Sequence, residues 1–546
     1  MVESSASDGS RARSGRALAI LCALMGATAL VRFAFNVEHY WFLLDDAFIS
    51  FRYASNLVGG HGLVWNPGEY VEGYTNFLWV ILVAGGMLAG LQPEGFSALL
   101  SIACALGLLA TLIRFSAGRE SLRDPFVWLP LLALASSRTF AAWSTSGMET
   151  MLFALLVVGA NLRFVVERER AERERAERED AARSPMGSIA LFTLATLTRP
   201  EGGLFTFVAG VFFLADALRG RRRFASLCLW CLPWFVVIGS HFLWRHAYYG
   251  YWLPNTFYAK VNGIWLEQGL HFFEIFQQDY KFLYFLPFAL LAVAGWRSFA
   301  HLYLANVILV YSGYLLLIGG DRFEFRPLVA VLPLFYWLVC EGLRWIHDQG
   351  WRRGGAQGRA LLALSALCAI LLVGITEHGS RHYAAFANRY GIESLQSARF
   401  YGQRRSEEGR FLASQIEQGV LPDDLLLCAG GAGALPYYTR WPTLDYRGLN
   451  DPVIAHEGVG PRAIIGHEHY ASRQYMEKRG VEVFDVRNQL VVSGDPTRFR
   501  GKRPSKNRIR WPLHAVRLED GKSMVFGTTV SEEDLRKRFG KRRLLF

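Results

Sequence analysis

Residues 44–79 read LDDAFISFRYASNLVGGHGLVWNPGEYVEGYTNFLW and follow directly on the first apolar run of a very apolar chain. Asp45 and Asp46 open the stretch, Glu69 and Glu72 follow, and Arg52, His61, Asn66 and Asn76 lie among aromatic rings. Carboxylates beside a membrane are costly unless they are paired or perform chemistry. Acids, amides and aromatic faces together suit a polar ligand with flat apolar faces, such as a sugar. Adjacent aspartates on a helix point about 100° apart, and on a strand they oppose one another. Only one of the two can therefore face a reacting hydroxyl as its base, and Asp45 is preferred. The structural alternative is that these aspartates cap the helix AFISFRYASNL.

Four further polar segments interrupt the apolar sequence: SGMET (146–150), TRPEG (198–202), PNTFYAK (254–260) and GGDRFEFRP (319–327). They supply the carboxylates Glu149, Glu201, Asp321 and Glu324 and the cations Arg199, Lys260, Arg322 and Arg326, with Asn255 and Tyr258 beside them. Acids that can take a hydroxyl proton and cations that can hold a departing phosphate are what group transfer from a phosphate ester requires. Arg199 and Lys260 are the first candidates for the phosphate, Arg322 and Arg326 the next. Each of the four could equally be a membrane-edge charge whose stem lies along lipid. Glu149 and Glu201 also stand where helix starts favour an acid. His61 has no second histidine at ligand spacing, so contact with an acceptor, or a structural role, fits it better than a metal.

The elements that must position these groups are apolar runs near the ~20 residues that cross a bilayer core. The chain has 546 residues, 52% hydrophobic and 14% aromatic, with 19% charged, so a membrane part and a soluble part share it. The net charge of +12 gathers at apolar ends (Arg221, Arg222 and Arg223; Arg352 and Arg353; Arg114, Arg119 and Arg123). That is the positive-inside pattern rather than a nucleic-acid surface. The seven cysteines lie mostly inside apolar runs, and Cys228 and Cys231 sit within one hydrophobic helix, where packed or lipid-facing thiols are expected.

Residues 17–35 read as an uncleaved anchor leaving the cytoplasm, which places the acidic stretch outside. Residues 77–91 read as an interfacial or re-entrant segment, because a full span there would put Arg114, Arg119 and Arg123 outside. Residues 96–115 then run inward, 126–143 outward and 148–166 inward. The charge repeat 167–183 follows as a cytoplasmic helix with Glu169/Arg173 and Glu174/Arg178 at i,i+4 spacing. Residues 187–197 and 203–218 form a hairpin broken at Pro200, which cannot donate a helix hydrogen bond. Spans at 227–243, 281–296, 302–318, 328–346 and 361–375 complete about eleven crossings. The expected fold is thus mostly α: a cytoplasmic tail 1–16, a polytopic helical bundle 17–375 and an extracytoplasmic α/β domain 376–546. Turn signals such as LPDD, GGAG and SGDP divide that last part, and no independent catalytic motif stands in it.

DDAFISFRYASNL, HGLVWNPGEYVEGYTNFLW, SGMET, LTRPEG, PNTFYAK and GGDRFEFRPLV, in this order over about residues 40–340, resemble the integral-membrane C-type glycosyltransferases. They resemble especially the bacterial family typified by the mycobacterial terminal arabinofuranosyltransferase, with its related flagellar motor control proteins. In the tail, AGAGALPYY and DYRGLND are similar to the family too. The resemblance implies a C-type fold and a polyprenyl-phosphate-linked sugar donor, with arabinofuranose as the leading example. It also implies a catalytic first-loop acid at Asp45 or Asp46. The expected acceptor is a cell-envelope glycan, lipopolysaccharide or protein, and the resemblance implies a site outside the bacterial inner (cytoplasmic) membrane. Relatives with and without a divalent metal leave the cofactor open. Two other classes compete: a transporter, which would carry its charges at span midplanes, and a non-catalytic envelope or flagellar scaffold, which would tolerate neutral residues at positions 45 and 46.

Overall fold

The computed structural model describes residues 2–176, 186–260, 263–381, 392–457, 466, 468–506, 509–540 and 543–546. Among them six helices are long and apolar enough to cross a bilayer: Gly15–His39, Pro93–Ala117, Thr150–Arg175, Phe224–Tyr249, Phe299–Ile318 and Gly355–Gly379. Shorter apolar helices are Phe77–Leu88, Pro125–Ala135, Gly187–Thr198, Gly202–Leu218 and Phe282–Trp296. The protein is a multi-pass membrane protein of mostly helical fold. The most apolar part of Thr150–Arg175 is mostly buried, whereas that of Phe224–Tyr249 is almost wholly unburied, as a lipid-facing helix would be. Phe77–Leu88 has 12 residues. At 1.5 Å per residue it is too short for a core of about 30 Å.

The break expected at Pro200 is present: one helix ends at Thr198, Arg199 is extended, and the next begins at Gly202. Two expectations are corrected. Residues 126–143 are not one span, for the chain forms Pro125–Ala135 and then a separate short helix Arg138–Trp143 whose N-cap is Ser137. The reason is Arg138, which is fully buried and is turned toward carboxylates rather than lipid. In the charge repeat, Glu169 pairs with Arg119 at 2.7 Å instead of Arg173, and Glu174 pairs with Arg170 at 2.6 Å. Arg178 lies outside the described residues. No disulfide is formed among the cysteines, and Cys228 is exposed on its apolar helix.

The chain divides into two compact units: residues 1–41, 98–241 and 264–392 in one, and residues 42–97, 242–263 and 393–546 in the other. The tail thus shares its unit with the acidic first loop and the PNTFYAK segment. Among its described residues lie eight strands: β1 Leu427–Ala429, β2 Thr443–Asp445, β3 Val483–Phe484, β4 Val491–Ser493, β5 Ser505–Lys506, β6 Ile509–Arg510, β7 His514–Arg517 and β8 Lys522–Phe526. A parallel sheet runs β2-β1-β3, an antiparallel sheet β4-β8-β7, and β5 pairs with β6. The apolar core between sheet and helices includes Leu412, Leu427, Trp441, Val483, Met524 and Phe526. The α/β expectation for the tail holds.

Candidate functional site

In the unit that carries the first loop, the helix Ala47–Val58 begins directly after the aspartates. Asp46 occupies the N-cap position, is half-buried and makes no side-chain cap bond to this helix. Asp45 is 4% exposed, and its Oδ1 accepts a hydrogen bond from the backbone N–H of Ala434 at 2.9 Å. A Cβ at Gly433 would overlap the Asp45 carboxylate, and one at Gly431 would lie 3.3 Å from its Oδ2. Two glycines of the turn after β1 therefore make room for this acid and hold it in one orientation.

The loop residues around it are largely structural struts. Arg52 donates to the carbonyls of Trp65 (2.9 Å), Pro436 (2.8 Å) and Trp441 (3.0 Å) and to Asn66 Oδ1 (3.0 Å), with its guanidinium 4.4 Å from the Trp65 ring. Glu72 accepts from Arg245 at 2.8 Å, and burial pushes its carboxyl up to about 7 against that attraction. Asn76 bonds Ser50 at 3.0 Å, and Asn255 donates to the carbonyls of Gly448 and Leu449 at 2.8 and 3.0 Å. Tyr258 lies 4.2 Å from the His456 ring, Lys260 ends the helix Asn255–Lys260, and His61 is exposed. No group of three or more metal-ligating side chains is gathered among the described residues.

In the other unit three of the polar segments meet. Arg199 of TRPEG binds Glu149 of SGMET at 2.6 Å and its neighbour Glu201 at 2.8 Å. Burial works against the Glu201 carboxylate, but Arg199, and Arg326 to a smaller degree, bring it below the usual range. Arg326 of GGDRFEFRP forks onto Asp321 at 2.7 and 3.2 Å, and Arg322 lies 5.3 Å over Phe323. Glu324 turns elsewhere. It is fully buried and receives Arg138 Nε at 2.7 Å, while Arg138 also binds Asp279 at 2.9 Å and the Gly379 carbonyl at 3.1 Å. Sequence reasoning passed over Arg138, although a lone charge inside an apolar run was the available signal.

This architecture is the C-type glycosyltransferase fold. The chain superposes on ArnT of Cupriavidus metallidurans with a TM-score of 0.53 at 15% identity, covering 92% of this chain and 97% of that one. It matches the same protein bound to undecaprenyl phosphate with a TM-score of 0.51 at 14% identity, covering 93% and 98%. By sequence it is similar to the terminal β-(1→2)-arabinofuranosyltransferase of Corynebacterium glutamicum, 27% identical over 350 residues, 56% of this chain and 49% of that relative. It is also similar to the enzyme of the same name from Mycobacterium tuberculosis, 28% identical over 257 residues, 44% of this chain and 38% of that relative. The chain thus spans half or less of the length of the curated relatives it matches. Residues 396–526 match a domain family of unknown function, DUF8728.

Proposed function

We propose that this protein is a membrane glycosyltransferase that moves a sugar, with arabinofuranose the leading example, from a polyprenyl-phosphate donor to an envelope glycan, lipopolysaccharide or protein. The reaction runs on the extracytoplasmic face of the bacterial inner membrane. The acceptor hydroxyl attacks the anomeric carbon, its proton passes to a first-loop carboxylate, and the bond from that carbon to the phosphate oxygen breaks as polyprenyl phosphate leaves with the electron pair. A C-type fold whose first-loop acid is held in one orientation by the tail's glycine turn is the observation that carries this reading. A carboxylate fixed before the substrate arrives needs no reorganisation when the proton moves.

Asp45 is the preferred base, with the half-buried Asp46 beside it as the other candidate. Lys260 and Arg199 are the first candidates for the donor phosphate, and Arg322 and Arg326 are the next. The decisive assay follows label from a polyprenyl-phosphate sugar into acceptor. Asp45→Asn or Asp46→Asn is expected to lower transfer by ~100- to 10,000-fold while protein stays in the membrane. If both single variants and the double variant transfer at the wild-type rate, neither aspartate is the base. The lipid-linked sugar that accumulates in a deletion strain identifies the donor.

A further inference from the structure

The GGDRFEFRP loop begins with Gly319 and Gly320, at φ +93° and +78°, and turns again at Phe325, at φ +50°. Glycine takes such angles freely, whereas a bulky side chain is strained there and stays only where its surroundings over-determine the backbone. Phe325 directly precedes Arg326, the first residue of the one-turn helix Arg326–Ala330, and its carbonyl accepts the Leu328 N–H of that turn at 3.0 Å. The backbone angles of Phe325 therefore set the direction in which Arg326 leaves the chain.

The surroundings hold those angles from both sides. The Phe325 ring is fully buried, with the Phe272, Phe276 and Tyr280 rings centred 5.9, 5.0 and 5.9 Å from it. On the residue before it, the Glu324 carboxylate accepts from Arg138 Nε at 2.7 Å, and the Glu324 carbonyl accepts from the Trp143 indole N–H at 3.0 Å. Arg138 and Trp143 are the two ends of one short helix, and Arg138 is itself fixed by Asp279 at 2.9 Å and the Gly379 carbonyl at 3.1 Å. Beyond Trp143 the chain enters SGMET, whose Glu149 binds Arg199. Arg326 forks onto Asp321, lies 5.9 Å from the Trp143 ring and is near enough to Glu201, the other partner of Arg199, to stabilise its charge. Many buried ion pairs only hold a fold. This one ends on a strained residue next to a cation of the candidate site, and strain of that kind fixes a group's direction before the ligand arrives.

We propose that Arg138 and Glu324 are positioning residues: their buried pair, with the Trp143 indole, holds Phe325 in its left-handed conformation and so aims Arg326 at the donor phosphate. This rests on the reading in which Arg326 is one of the cations that hold that phosphate. Neither Arg138 nor Glu324 touches the donor in this scheme, and their effect passes through Arg326.

The test measures donor KM and kcat for the full chain, following label from a polyprenyl-phosphate sugar, in Glu324→Gln and Trp143→Phe, each with and without Arg326→Met. Glutamine keeps an acceptor for Arg138 and removes only the charge, and phenylalanine keeps the ring and removes only the N–H, so both changes spare the packing. Arg326→Met alone should raise donor KM roughly ten- to a hundredfold, the loss of one charge-assisted bond. Glu324→Gln and Trp143→Phe should each raise it about three- to tenfold beside a native Arg326 and less than about twofold beside Arg326→Met, because residues that act through one contact do not add. A tie that only held the fold would lower the melting midpoint and the amount of active enzyme alike in both backgrounds, leaving donor KM unmoved. Unchanged donor KM in both variants, or the same rise with and without Arg326, overturns the proposal while Arg326 keeps its phosphate. Unchanged donor KM in Arg326→Met is a different failure: it removes Arg326 from the phosphate site and overturns the proposal together with that reading.

Discussion

Replacing Arg52 separates a structural strut from a ligand contact, because its side chain is 6% exposed and makes four hydrogen bonds that join the first loop to the tail within one unit. Hydrogen bonds to a charged group contribute roughly 1.5–3 kcal/mol each when taken singly, but they do not add. Two facts reduce the loss in Arg52→Met. Every acceptor keeps another donor: Asn56 on the Trp65 carbonyl, the Arg440 N–H on Pro436, the Thr443 hydroxyl on Trp441 and the Thr443 N–H on Asn66. Removing the guanidinium also ends the burial of a cation that none of these partners neutralises. Against that, its stacking on Trp65 at 4.4 Å is lost. Such stacking contributes about 0.5–2 kcal/mol. The balance is about 3 kcal/mol of destabilisation, which for a unit of this size lowers the melting midpoint by roughly 6–12 °C. The assay is thermal unfolding of purified protein in detergent, followed by tryptophan fluorescence, alongside transfer kinetics. A variant that melts within about 2 °C of wild type while its KM for donor or acceptor rises tenfold would refute the strut and restore Arg52 as a substrate contact.

Other outcomes follow from the same contacts. Arg138→Met strips the fully buried Glu324 and the nearby Asp279 of their shared cation. It should cost about 3–5 kcal/mol and leave little intact protein in the membrane, so wild-type yield and protease resistance would count against it. Burial raises Glu72 from an ordinary 4.5 to about 7 and Asp445 from 3.8 to about 6, so the folded form holds these protons more tightly than the unfolded chain. The stability they contribute is complete below about pH 4 and is lost as pH rises through 7; Glu72→Gln should flatten the decline in melting midpoint from pH 4.5 to 8, and an unchanged slope would exclude Glu72 as its source. Lys260→Met should weaken donor use about ten- to a hundredfold, partly as raised donor KM with acceptor KM little altered. If donor binding is normal and only acceptor affinity falls, Lys260 does not hold the phosphate. Arg322 and Arg326 are then the next pair to test.

The sequence by itself determined the membrane class, the break at Pro200 and the polar segments that interrupt the bundle, because those depend on local periodicity, run length and the refusal of proline to donate a hydrogen bond. It also pointed to Glu149, Arg199, Asp321 and Arg326 as chemically active types. It could not say that they bind one another, since an ion pair between residues 50 positions apart, as Arg199 and Glu149 are, is fixed by how helices pack and not by spacing. Only the tertiary structure turned Arg52 inward onto carbonyls of residues 436 and 441, tied Arg138 to Glu324 and Asp279, and set the turn at Gly433 against Asp45. Each of these contacts joins positions more than a hundred residues apart. A charge's type is written in the chain, but whether it works on a ligand or holds the fold depends on which distant groups share its low-dielectric surroundings.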